Sequence, residues 1–131
     1  MRAEGRTMMA AGLLGALVWL GVAVPGFTRP DGLLGAVSLT LGSVDAYNEA
    51  RAVYGGLMLA LAGLQATLAL KEGWRRFGVA IWTVLLAGLV SGRCVSALVD
   101  GPPEGFARVL MGAEVMGLLL GAALLWATRL R

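Results

Sequence analysis

The chain has 131 residues, of which 58% are hydrophobic and 15% charged, with a formal net charge of +3 and no histidine. Soluble domains carry roughly 25% charged and 45–50% apolar residues, and one small soluble core has too little interior for this much apolar surface, so composition places the chain in lipid. The single cysteine, Cys94, excludes an intrachain disulfide framework. No Cys/His cluster, phosphate loop, dinucleotide fingerprint or aromatic-interleaved basic patch argues for zinc, haem, nucleotide or nucleic-acid binding.

The first apolar run, Met8 to Val24, follows a basic leader and resembles a secretory signal peptide. At 17 residues it is short for a span but long for a signal core, and a retained first helix is the preferred reading. Pro25-Gly26 is expected to close it, since proline cannot continue the hydrogen-bond ladder. The stretch 31–42 holds about a dozen residues, too few to span, and reads as a short interfacial or re-entrant helix with Asp31 as its cap. Ser43 or Asp45 then caps the entry to the second span, at about 50–70. KEGWRR separates it from the third, 77–99, and DGPP separates that from the fourth, 106–127. Each has close to the ~20 residues needed to cross ~30 Å of hydrocarbon. The expected fold is all-α, an integral membrane four-helix bundle forming one transmembrane domain, with the short helix between its first two spans.

Four spans put both termini and the loop at 71–76 on one side. That side carries Arg2, Arg6, Lys71, Arg75, Arg76, Arg129 and Arg131, against Arg29 and Arg108 opposite, a bias that points to both termini in the cytoplasm. Glycine supplies 20 residues. Gly88, Gly92 and Ser96 in the third span, and Ala113, Gly117 and Gly121 in the fourth, recur at intervals of four. Such stripes let helices approach closely where lipid offers no hydrophobic drive for association; the plain alternative is that glycine is common in membrane helices. Trp19, Trp74, Trp82 and Trp126 read as an interfacial belt, and Cys94 as a buried, inert thiol.

The polar residues inside the spans carry the functional signal. Arg51 and Tyr54 open the second span, Arg93 lies ~9 Å from the end of the third, and Glu114 lies ~12 Å into the fourth, at 1.5 Å per residue. All four therefore share the outer half, with Glu49 joining them and Asp45, Ser96 and Asp100 at the rim. A charge inside the membrane costs at least ~2.5–3.5 kcal/mol, so Glu114 is expected to pair with Arg93 or Arg51, whose guanidinium forks match a carboxylate. The alternatives are a site for a lipid, quinone or other amphiphile, an ion-pair lock within a structural or complex-assembly subunit or homo-oligomer, a quinone-linked redox subunit, and a small-solute transporter. The transport reading has few polar steps beyond Gln65. Any enzyme would work with carboxylates, arginine and tyrosine, or with a partner's cofactor; no cofactor of its own is expected.

The series Glu49-x-Arg51-x-x-Tyr54-Gly55-Gly56, Gly92-Arg93, Asp100-Gly101-Pro102-Pro103 and Glu114 resembles a family of small bacterial four-helix membrane proteins of unknown function, related to the broader DoxX-like group. The resemblance runs from about Leu13 to Leu125. It implies the four-helix membrane fold in a bacterial inner membrane, with Arg51, Tyr54, Arg93 and Glu114 at its characteristic polar positions. It implies no settled activity, although some DoxX-like proteins are associated with quinone-linked sulfur oxidation beside a partner subunit.

Overall fold

The computed structural model describes residues 3–128; Arg2, Arg129 and Arg131, which enter the charge asymmetry, lie outside the described residues. Among the described residues, four helices are long and apolar enough to cross a membrane: Ala3–Thr28, Val44–Leu70, Glu72–Val99 and Gly105–Ala127. The protein is an all-α integral membrane protein with a four-helix membrane fold, and the short helix Pro30–Gly35 lies between the first two spans. By packing the chain divides into two units, residues 13–67 and residues 3–12 with 68–128.

In the unit of residues 13–67, the first span does not stop at Pro25-Gly26 as the sequence suggests. It runs through Pro25 to Thr28. Proline removes one backbone donor, but the turn is held on both sides: the Thr28 hydroxyl donates to the Val24 carbonyl at 2.9 Å and Arg29 N–H donates to the Pro25 carbonyl at 2.8 Å. The stop comes instead before Pro30, because a residue preceding proline is driven out of the helical region, and Arg29 accordingly has φ −144° and ψ 61°.

Pro30 opens the short helix, where its missing N–H is harmless, and Asp31 sits inside the first turn rather than capping it. The helix ends at Gly35, and Ser38 reaches φ 62° in the turn that follows. It is thus half the expected length. Ser43 then caps the second span, its Oγ accepting from Ala46 N–H at 3.1 Å.

Seven residues into the second span the ladder widens into a π-helix, Arg51–Leu57. The sequence reading placed these residues in ordinary α-helical turns. The first and second spans meet here backbone to backbone. A Cβ on Gly26 would strike the Tyr54 carbonyl oxygen and come within 2.7 Å of Gly55 N. The Phe27 ring occupies the space a Cβ on Gly55 would need, 2.8 Å away.

In the other unit, the third and fourth spans run antiparallel. Arg76 lies against Thr128, Thr83 against Gly121, Leu86 against Gly117, and Arg93 against Glu114. Gly117 and Gly121 receive the side chains of Leu86, Trp82 and Thr83, as the fourth-span stripe suggested. The third-span stripe does not pack: Gly88 and Gly92 have nothing within 4 Å of an added Cβ. Large side chains entering small positions make one close contact, so only one partner has to be small.

The Thr83 hydroxyl is fixed by donating to the Val79 carbonyl at 2.7 Å, and Val79 is fully buried. Gly121→Ala, whose new Cβ would meet Thr83 Oγ1 and lie 3.2 Å from its Cβ, is therefore expected to cost about 1–3 kcal/mol through overpacking. Gly63→Ala, at a helical glycine with nothing within 4 Å, should stabilise by up to ~1 kcal/mol. Unfolding in detergent micelles compares the two; equal midpoints would show that Gly121 is not at a close contact.

The tryptophans divide. Trp74 and Trp126 are exposed, as a belt requires, but Trp19 and Trp82 are buried with indole Nε1 atoms that make no hydrogen bond. They serve as core-filling residues, since the large apolar body of the ring outweighs its single N–H. Cys94 is exposed rather than buried. Consecutive residues point about 100° apart around a helix at 3.6 residues per turn, so the turn that aims Arg93 at the fourth span aims Cys94 away from it.

Candidate functional site

The third span ends at Asp100, whose N–H donates to the Ser96 carbonyl at 2.7 Å. Gly101 follows at φ 103° and Gly105 at φ 52°, a left-handed geometry that glycine adopts without steric cost. These two glycines let Asp100–Glu104 turn the chain back within one short linker. Arg108 Nε donates to the Pro103 carbonyl at 3.2 Å, pinning the linker to the first turns of the fourth span.

An open cleft of about 450 Å³ lies where the third span, this linker and the start of the fourth span meet. Gly88, Gly92 and Ser96 form one wall, Gly101 and Pro103 the outer edge, and Arg93 the charged group. The volume falls in the ~300–1,000 Å³ range of small-molecule sites. Its lining is mostly apolar, and it exists because the third-span glycines are not filled by a neighbouring helix.

Arg93 and Glu114 form a two-pronged ion pair. Arg93 Nε donates to Glu114 Oε2 and Arg93 Nη2 donates to Oε1, the latter at 2.7 Å. The Glu114 side chain is 14% exposed and that of Arg93 27% exposed. Of the two pairings left open by the sequence, the structure forms this one. At the rim the Ser96 hydroxyl donates to Asp100 Oδ2 at 3.1 Å.

The remaining expected site residues belong to the unit of residues 13–67. Arg51 Nε donates to the Phe27 carbonyl at 3.3 Å, at the end of the first span, and its guanidinium stands 5.6 Å above the Tyr47 ring. That placement suits arginine twice, since a cation is favoured at a helix C-terminus and over an aromatic face. Tyr54 sits in the π-helix with its carbonyl against Gly26. Glu49 and Asp45 lie in the α-helical turns that precede it. Among the described residues no three His, Cys, Asp or Glu side chains converge to hold a metal ion.

Two features escaped the sequence reading. One is the π-helix; the Gly55-Gly56 pair was its only sequence signal, and such irregular turns recur at functional sites. The other is Arg75, counted in the sequence only as a basic residue of the 71–76 loop but 6% exposed. Its Nε donates to the Ala69 carbonyl at 3.0 Å, its Nη2 lies 3.7 Å from Met9 Sδ and its Nη1 lies 3.7 Å from Glu72. It therefore caps the end of the second span. Its position just after a span gives no pattern that separates such a cap from a solvated topology charge.

Residues 8–128 match the family described as Domain of unknown function (DUF4345), and the chain belongs to that family. No curated protein and no solved structure matches it.

Proposed function

Taking membership of the DUF4345 family as the premise, we propose that the protein is a membrane binding module that holds an amphiphile, a lipid or a quinone, in the cleft beside Arg93. The observation that carries this is an open, mostly apolar cavity whose one charged wall residue is already oriented by Glu114. Oriented polar groups in an apolar pocket fix a ligand's head while the lining accepts its chain. The characteristic positions Arg51 and Tyr54 support the fold at the first-span contact in this reading. The relation to the DoxX-like group rests on motif resemblance. The motif resemblance supports a bacterial inner membrane, and the basic-residue bias supports both termini in the cytoplasm, which would place the cleft in the outer half.

Gly92→Leu is the discriminating variant, because an added side chain there meets nothing of the protein within 4 Å at its Cβ and projects into the cleft. Native mass spectrometry of mildly extracted protein should find a stoichiometric amphiphile on the wild type. Gly92→Leu should lose it at least tenfold with an unfolding midpoint unchanged or raised. A wild type that carries no amphiphile sinks the proposal. The second reading, an ion-pair lock in a structural or complex-assembly subunit, is favoured by the closed fork between Arg93 and Glu114, and it would leave that wild type empty.

A further inference from the structure

The charges around the cleft bear on which amphiphile fits, an inference that rests on the amphiphile-site reading. A guanidinium has five N–H donors in a planar fork. Glu114 takes one from Nε and one from Nη2, leaving three, of which those on Nη1 and Nη2 form the outward end edge. That edge matches two oxygens of a phosphodiester. Because Arg93 is already neutralised by its partner, the site has no net positive charge to offer.

Farther out the balance turns negative. Asp100 and Glu104 outweigh Arg108 within the linker and the first turn beyond it. Asp100 stands seven residues after Arg93, two turns on and hence on the same helix face. The rise between them is ~10 Å at 1.5 Å per residue, which an extended arginine side chain and a headgroup linker cover together. The Ser96 hydroxyl spends its proton on Asp100 Oδ2 and so ties that carboxylate to a residue of the cleft wall.

We propose that the occupant is a phospholipid with a zwitterionic headgroup, its phosphodiester on the end edge of Arg93 and its ammonium toward Asp100. An anionic lipid places the same phosphodiester on Arg93 but brings no cation to Asp100, and a quinone uses the arginine without the carboxylate. Both are therefore disfavoured.

The test uses full-length protein reconstituted in bilayers of equimolar phosphatidylethanolamine, phosphatidylcholine and phosphatidylglycerol, re-extracted and weighed by native mass spectrometry. The zwitterionic lipids should be retained at least fivefold over phosphatidylglycerol. Asp100→Asn should lower that preference at least threefold. Phosphatidylethanolamine above phosphatidylcholine shows that ammonium N–H groups bond Asp100; equal retention shows that charge alone suffices, and either supports the zwitterion. Retention of phosphatidylglycerol at parity or above, a ratio unmoved by Asp100→Asn, or a co-purified quinone in place of lipid overturns the headgroup assignment while leaving the cleft as an amphiphile site. A wild type with no bound amphiphile overturns both.

Discussion

Gly26→Ala is expected to destabilise the protein more than any other single-methyl addition to its spans, by about 3 kcal/mol or more, at the upper end of overpacking costs. At most core positions an intruding methyl displaces a side chain that can change rotamer. At Gly26 it meets the Tyr54 carbonyl oxygen and lies 2.7 Å from Gly55 N, and backbone within a helix has no rotamer to change. The spans must part, or the π-helix Arg51–Leu57 must give up its register. The control lies in the same helix: Gly21 has nothing within 4 Å, so Gly21→Ala should be neutral or stabilising by up to ~1 kcal/mol. Unfolding in detergent reads the stability, and amide exchange over residues 51–57 should accelerate in Gly26→Ala alone. A Gly26→Ala protein as stable as wild type would mean that the backbones are not in contact.

Glu114→Gln comes second. The substitution keeps the shape of the side chain and removes its charge, leaving the Arg93 guanidinium, only 27% exposed, without a counter-ion inside a span. Breaking one side of a buried pair costs about 3–5 kcal/mol, whereas replacing both partners by apolar groups of similar volume is often neutral or stabilising. The single variants Glu114→Gln and Arg93→Met should therefore both unfold early, and the double variant Arg93→Met/Glu114→Leu should recover most of the loss. The coupling is read from the cycle of wild type, Arg93→Met, Glu114→Leu and the double variant, in which Glu114→Leu removes the carboxylate as Glu114→Gln removes its charge. Additive singles, each within about 0.5 kcal/mol of wild type, would show that the pair does not hold the third and fourth spans together. The double variant also separates the functional readings: folded but stripped of amphiphile, it supports the binding module, because Arg93 is the headgroup's anchor there.

Part of this is legible in the sequence alone. Hydropathy over stretches of about 20 residues located four spans, because a lipid environment demands long apolar segments with every backbone group bonded internally. Glu114 was legible as a paired residue because an unpaired carboxylate inside a span is costly, and Ser43 as one of two candidate caps, beside Asp45, because its hydroxyl has a local job. These are features set by solvent and by the nearest few residues. Which arginine takes Glu114, which of two glycine stripes is packed, and where the second span widens are different in kind. Each depends on how one helix is rotated and shifted against another, and in a chain this rich in glycine many registers bury the same composition. Arg93 reaches Glu114, Gly117 and Gly121 receive Trp82, Thr83 and Leu86 while Gly88 and Gly92 stay open, and Gly26 closes on the Tyr54 carbonyl. Tertiary packing decided those contacts, because steric fit between particular side chains discriminates among registers that hydropathy scores alike.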